Sequence, residues 1–591
     1  MPRAIAAAWV YDEDAHRQAN AEQENHWDLY IGEACAQLGL TADVVPPAYL
    51  TRADLGRYTV LLMGGLDGRQ LPAATGAALG RWVERGGLLL AFNTLGLDGL
   101  FGIRGEAELA QPASHFSQAG AISLRDHPLC RGLQPDLHPD QPLIAYGPLR
   151  RVRAADAEVL ADLRAPRGEA LGAAVTLRRL GEGYAAYFAF ALPQTLWALH
   201  QGRPIDRDYD GDGYFRTGDS FVIGDNEIEV PYADHLVWLL ESIVSLQPLP
   251  LIYVLPPVDS RAATALYYWA GDDEFAAGDQ VKASNYMRSV GLPYHINIMW
   301  RDGKFSLSSQ EADILAANGH DFSLHYNFVP ASGFRSGTEF AAEDVHQQAD
   351  DFFAHFGCRP YANVNHWLRW TGYAEPARWM AEVGGRGDGS FVHARMPPLD
   401  PCDIFGYPFG TSFPFRFYED WRRGNERLGF AEKPLTGYEM GYNQEGNDFT
   451  QLHRLMDLTQ RRHLMTSMFF HSNRIANIPN CRRAIEEVLR YADEKGVVCK
   501  HLSLNGVIRW WFARLTSAVT DVSSEERGLR MHVRAEWEEG LVLRLPLAGR
   551  LARSASCDGQ ALVFEVWGER GQSWLMLPVP PGEHEVLIGW E

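Results

Sequence analysis

The chain has 591 residues, 46% of them apolar and 12% aromatic, with a formal charge of -21 at pH 7. That length exceeds what one core can serve and implies about three domains. The acidic balance excludes a nucleic-acid or anionic-membrane partner, since both need clustered Lys and Arg. Seven cysteines (35, 130, 358, 402, 481, 499 and 557) are scattered without a CxxC pair. This excludes a disulfide framework or a Cys-type zinc site and fits reduced thiols in a cytoplasmic protein.

The first apolar run, Ala4–Val10, ends at Tyr11-Asp12-Glu13-Asp14. It is short for a signal peptide and reads as a buried first strand. No run approaches the roughly 18 apolar residues of a membrane span. An amphipathic helix through Trp27, Tyr30 and Leu38 follows, then strands at Asp43–Val45 and Thr59–Met63. A helix at Ala73–Arg85 and a strand at Leu88–Phe92 continue the alternation, which implies a doubly wound, flavodoxin-like parallel sheet. From about 110 the pattern turns to strands, ending in Tyr184–Ala191, and a helix near Tyr232–Leu246 closes a first domain at 1–248. Within it, Asp208-Tyr209-Asp210-Gly211-Asp212-Gly213 with Asp219 has the oxygen-ligand spacing of an EF-hand-like calcium loop. A merely acidic, solvated loop is the rival reading.

Past the proline-rich 248–257 connector, strands at Ala263–Trp269, Tyr294–Met299, Asp321–His325, Tyr361–Val364, Thr466–His471 and Val497–His501 alternate with helices. That alternation predicts a complete or partly open (β/α) barrel over 249–514, with active residues at the C-terminal ends of its strands. From 515 to 591 short strands without helices predict a small all-β sandwich.

The residues at the strand ends carry the chemistry. Asp272-Asp273 follows the first strand of the second domain, His325 ends the third, Asn363 to Trp370 includes His366 and Arg369, and Phe469-Phe470-His471 ends a late strand. Individually, Asp pairs cap helices and histidines satisfy cores. Their joint occurrence at successive strand ends points to a site where carboxylates and imidazoles hold a metal and move protons. In order and spacing the domain resembles the polysaccharide deacetylases of the NodB-homology, carbohydrate esterase type. The first domain resembles the class I glutamine amidotransferase-like fold in its ThuA-like and β-galactosidase trimerisation-like form. At the turn where an amidotransferase carries its Cys, this chain has Asn93-Thr94-Leu95.

The resemblance implies a metal-dependent hydrolase that removes an acyl group, N-acetyl foremost, from an amino sugar or related carbohydrate. Asp273 and His325 would ligate a zinc-type ion, Asp272 would be the base, and His471 the acid, with Arg369 in the family's arginine-bearing motif. The family's second histidine falls at Val329, so His366 is the expected substitute, ahead of His320, His346 and His393. Asp388 can orient Arg369 or a catalytic histidine, or form an Asx turn. Trp367 and Trp370 are the expected sugar-stacking rings. Two rivals stand beside this. One is an inactive carbohydrate-binding or scaffold protein. The other is a metal-free glycoside hydrolase using Asp272 and Asp388. The first domain is the expected seat of any homo-oligomer, and no membrane insertion is expected.

Overall fold

A computed structural model describes residues 3–66, 71–136, 138–223, 229–329, 338–392, 404–442, 448–525 and 528–591. The chain is a mixed α/β protein that groups into two compact units. The first comprises residues 1–200, 232–262 and 513–591, the second 201–231 and 263–512. This grouping differs from the three consecutive domains expected. The C-terminal strands belong to the first unit because they pair with earlier chain: Arg3–Ala4 joins Ala518–Glu525, and Leu251–Ile252 joins Leu541–Pro546. Pairings so distant in sequence leave no mark in local composition.

The first unit's main sheet runs in the order Ala42–Val45, Ala7–Val10, Val60–Met63, Leu88–Phe92, Gly183–Phe188, then four further strands. The first five are parallel neighbours. Leu88–Phe92 is buried at every position, as a strand covered on both faces must be. Asp12 starts the Glu13–Ala21 helix by accepting from the Asp14 and Ala15 amides, both at 3.0 Å. The C-terminal part of this unit forms two sheets, of six and four strands.

The second unit is built on an 11-stranded sheet. Its centre is Ala265–Asp272, paired in parallel with Met465–Phe469 on one side. On the other, its first residues pair with Cys499–Ser503 and its last with His295–Met299. Asp321–Tyr326, Ala362–Asn365, Gly387–Asp388 and Arg427–Glu432 continue the parallel series. The sheet path ends at Ile404–Phe405 and at Phe415–Tyr418, and no pairing joins those ends among the described residues. Of the complete or partly open barrel expected from strand–helix alternation, the described residues show the open form, since alternation fixes parallel pairing and not closure. Among the described residues no helix is long and apolar enough to cross a membrane.

Candidate active site

The chain reaches the site at the C-terminal end of Ala265–Asp272. Gly271 must be glycine there, because a Cβ would collide with the Phe470 carbonyl and the Tyr294 hydroxyl. That close approach, sealed by the Tyr294 hydroxyl donating to the Phe470 carbonyl at 2.5 Å, sets Asp272 beside His471. Beyond the strand Glu274 and Phe275 take left-handed backbone at φ 50° and 58°, which turns the Glu274 carboxylate back over the strand ends.

The two adjacent aspartates have opposite fates. Asp273 is fully buried and saturated. Its Oδ1 accepts from the Phe275 and Met299 amides at 3.0 Å each, and its Oδ2 from Gln280 at 3.0 Å and Ser306 at 2.7 Å. No lone pair is left over for a metal, so the residue expected as a ligand is placed as an anchor of the loop. Asp272 accepts one bond, from Asn297 Nδ2 at 3.0 Å, and lines the pocket. Its Oδ2 faces His325 Nε2 at 3.5 Å and His471 Nε2 at 3.9 Å. Burial, added to by the Glu274 charge, holds the Asp272 carboxyl well above the usual carboxylate range, although His471 opposes the shift.

The histidines are oriented through their far nitrogens. His325 Nδ1 donates to the Val364 carbonyl at 2.7 Å and His366 Nδ1 to Asn327 Oδ1 at 3.1 Å, so each presents a bare Nε2. His325 Nε2 is buried with no hydrogen-bond partner. His366 Nε2 lies 4.0 Å from Glu274 Oε2. Burial keeps both imidazoles neutral, lowering His325 to about 3 and His366 to about 4. His471 is the opposite case. Burial opposes its charge, but Glu274 (Nε2 to Oε1, 3.3 Å) and Glu439 (Nδ1 to Oε1, 2.5 Å) hold the imidazolium well above the ordinary histidine range. Glu274 is depressed in turn. Burial would raise it, but the hydrogen bond to His471 and the charge of that imidazolium outweigh it.

Two overlapping groups therefore exist, each with its donor atoms within 4.8 Å of one another: Asp272, Glu274 and His471, and Glu274, His325 and His366. They share a pocket of about 50 Å³, room for a water or two or the reacting end of a substrate, with Trp367, Tyr438 and Phe469 among its walls. Val329, where a second histidine was sought, is buried core.

The remaining expected residues are arranged around this centre or away from it. Asp388 is fully buried and accepts from Asn363, from the Ser390 amide at 2.7 Å and from Ser390 Oγ at 3.0 Å. Ser390 Oγ accepts in turn from the Asn365 amide at 2.8 Å, so Asp388 positions the loop bearing His366. Asp388 does not line the pocket, which leaves no place for it as partner to Asp272 across a substrate. Arg369 is fully buried, donates to the Thr338 carbonyl at 3.0 Å, and lies over the Tyr214 ring. Trp367, at φ 55°, lines the pocket with Arg216 against its ring. Trp370 is 1% exposed and packs on Phe391 and Phe417, so it is core and offers no sugar platform. His320 is bonded to the Ser284 carbonyl, and His346 pairs with Glu382. His393 lies outside the described residues.

The calcium-like loop belongs to the second unit. Asp208, Asp210 and Asp219 bring carboxylate oxygens within 4.8 Å of one another, while Asp212 is drawn to Arg216 Nε at 3.1 Å. Burial and the neighbouring Asp212 and Asp219 charges push Asp210 up to about 6.

Three important groups escaped the sequence reading: Glu274, Glu439 and Asn327. Glu274 stands in the quoted Asp-Asp-Glu run, but the left-handed turn that aims it has no local signature. Glu439 enters the site across 32 residues of chain, and no spacing rule reaches it.

No family model matches the chain, and no curated protein matches it. Solved structures similar to parts of it include the β-galactosidase from Bacillus circulans sp. alkalophilus, 18% identical over 33% of this chain and 30% of that one, at a TM-score of 0.26. The exo-β-1,4-mannosidase Op5Man5 from Opitutaceae bacterium strain TAV5 is 13% identical over 32% of each chain, at 0.23. The α-L-fucosidase isoenzyme 2 from Paenibacillus thiaminolyticus is 15% identical over 32% and 29%, at 0.24. The chain thus spans about a third or less of these proteins, and at such scores the likeness carries no argument by itself. The deacetylase and amidotransferase-like resemblances are nonetheless corrected. No family model supports either, and none of the structures named above is a deacetylase. Acyl removal from an amino sugar falls with them.

Proposed function

We propose that the second unit is a hydrolase acting on the glycosidic bond of a carbohydrate, with Asp272 as proton donor and Glu274 as nucleophile. The observation that carries this is the opposed displacement of two carboxyls in one pocket. Asp272 is pushed well above the carboxylate range and Glu274 below it, the direction of difference that the acid and nucleophile of acetal cleavage need. Their nearest oxygens lie within 4.8 Å, closer to the roughly 5–5.5 Å spacing of retaining enzymes than to the roughly 6.5–9.5 Å of inverting ones.

In the first step Glu274 attacks the anomeric carbon as the glycosidic C–O bond breaks, and the Asp272 proton passes to the departing oxygen. In the second, Asp272, now a carboxylate, takes a proton from water as that water displaces Glu274. The sugar leaves with its new hydroxyl, and both carboxyls return to their starting states. His471, fixed by Glu439, keeps Glu274 ionised and in place. Trp367 and Tyr438 supply the apolar faces against which a sugar ring packs.

A second reading rests on a different observation. Glu274, His325 and His366 converge with two bare, neutral imidazole nitrogens, one of them without any partner, as a divalent-ion site of the zinc type requires. Such an ion would polarise a substrate oxygen or acidify water, and Glu274 would then be a ligand, unavailable as nucleophile. One experiment separates the two. Turnover of a panel of p-nitrophenyl glycosides is followed before and after exhaustive chelation. Undiminished turnover supports the carboxyl pair; turnover lost on chelation and restored by zinc supports the ion. Absence of turnover under both conditions overturns the glycosidic proposal.

A further inference from the structure

The first unit contains a cavity that the catalytic proposal does not use. It measures about 280 Å³ and lies at the C-terminal edge of the main parallel sheet. Its walls come from the segments that follow four neighbouring strands: Trp27 and Asp28 after Ala7–Val10, Gly65 after Val60–Met63, Asn93 directly after Leu88–Phe92, and Gln194 after Gly183–Phe188. The sheet grows to one side from Ala7–Val10 to Ala42–Val45, then to the other at Val60–Met63. Reversal of this kind leaves a crevice outside the strand ends, which is where open parallel sheets take ligands.

Two polar groups in this cavity have nothing to bind. Gln194 is 2% exposed and its Nε2 has no hydrogen-bond partner. Its amide is seated there at a cost, because Gly147, at φ 80°, must lack a Cβ to make room for it. Asn93 is held at φ 54°, its amide donating to the Phe188 carbonyl at 2.8 Å, and its buried Oδ1 is likewise unpartnered. A strained asparagine and a buried glutamine in the cavity wall thus carry one unpartnered acceptor and one unpartnered donor. An unpartnered buried amide costs free energy that a ligand completing its hydrogen bond would recover.

The rest of the wall defines that ligand. Trp27, braced edge-on by Trp197 at 5.0 Å between centroids, supplies an aromatic wall. Asp28 receives the Gly65 and Leu66 amides at 3.3 and 3.0 Å, and Glu108 stands at the rim. Two carboxylates repel an anion. A donor–acceptor pair of amides matches adjacent hydroxyls, each able to give and accept, and an indole face matches the C–H face of a saturated ring. The volume sits near the low end, roughly 300 Å³, of ligand pockets and suits a single ring.

We propose that the first unit carries a binding site for one neutral polyhydroxylated ring, a hexose or a cyclitol, separate from the catalytic pocket. Gln194 Nε2 donates to one ring hydroxyl, Asn93 Oδ1 accepts from its neighbour, and Trp27 stacks on the ring. The site performs no chemistry, since it contains no nucleophile and no general base positioned for one.

The test is calorimetric titration of the full chain with D-glucose, D-galactose and myo-inositol, with D-glucuronate as the anionic control. At least one neutral ring is expected to bind saturably, with glucuronate about tenfold weaker or worse. Gln194→Leu and Asn93→Gly, the latter keeping the left-handed backbone, are each expected to weaken binding by about tenfold. Asp272→Asn is expected to leave it unchanged. Hydrogen exchange on the unaltered chain gives a reading that needs no variant: the bound ring should protect the segments around 27–28, 93–95 and 191–194. The proposal is overturned if no neutral ring binds, if glucuronate binds as well as glucose, or if protection appears only in the second unit. Because none of these readouts involves turnover, failure here is distinguishable from failure of the glycosidase reading.

Discussion

Each unit carries a pocket at the C-terminal edge of a parallel sheet, and the two differ in what the strands deliver there. In the second unit the strand ends supply carboxylates and imidazoles that displace one another's protons: Asp272 upward, Glu274 downward, His325 and His366 toward neutrality, His471 toward charge. In the first unit the same edge supplies amides and an indole, with the Asp28 and Glu108 carboxylates in the same wall. Sheet topology therefore provides the location and residue type decides the use. Coupled ionisable groups make a place for chemistry, and orphaned neutral groups make a place for recognition.

That contrast is open to test by substitution. The largest expected effect is on Asp272. Asp272→Asn should lower kcat on any glycoside that the native protein cleaves by about 10²–10⁴-fold. Its melting temperature should hold or rise, because burial already disfavours the charged carboxylate. A large loss of stability instead would make Asp272 structural and dissolve the contrast. Its neighbour should behave in the reverse sense. Asp273→Ala strands four donors, and denaturant unfolding should show a loss of at least about 3 kcal/mol.

A smaller effect is expected one shell out. Glu439→Gln removes the charge that helps hold the imidazolium, so His471 should titrate at lower pH by NMR, with kcat down about tenfold to a hundredfold. If His471 titrates unchanged, Glu439 does not tune it. The mildest effect concerns the buried Asp388 and Glu432 carboxyls. Burial pushes Asp388 up to about 6 and, with the Asp388 charge, pushes Glu432 well above its usual range. Both carboxyls therefore bind protons more tightly folded than unfolded. Their contribution to stability is complete below about pH 4 and declines as pH rises through about 6 and beyond. Denaturant midpoints measured from pH 4 to 8 should fall with rising pH, and Asp388→Asn should flatten that slope.

Much of the architecture could be read in the sequence, because parallel strands buried on both faces are continuous apolar runs. Leu88–Phe92 and Asp321–Tyr326 lie where the pattern puts them, to within a residue. Closure could not be read, since alternation is the same in an open sheet and a barrel. Nor could the grouping of residues 513–591 with the first unit, which depends on pairings across hundreds of residues. In the site, Asp272, His325, His366 and His471 do converge. The anchoring of Asp273 and the arrival of Glu274 and Glu439 depend on backbone turns and distant contacts that residue spacing does not encode. Trp370 shows the same limit from the other side. It stands three residues from Trp367, yet packing alone places one ring in the core and the other in the pocket wall.

The central claim is that Glu274 becomes covalently bonded to sugar during turnover. Incubation of the native chain with 2-deoxy-2-fluoro glycosyl fluorides, which slow the second step more than the first, followed by peptide mass analysis, tests it directly. The account predicts a glycosyl adduct on the peptide containing Glu274, absent from Glu274→Gln. An adduct on a different residue, or none with a sugar whose p-nitrophenyl glycoside is turned over, would contradict it.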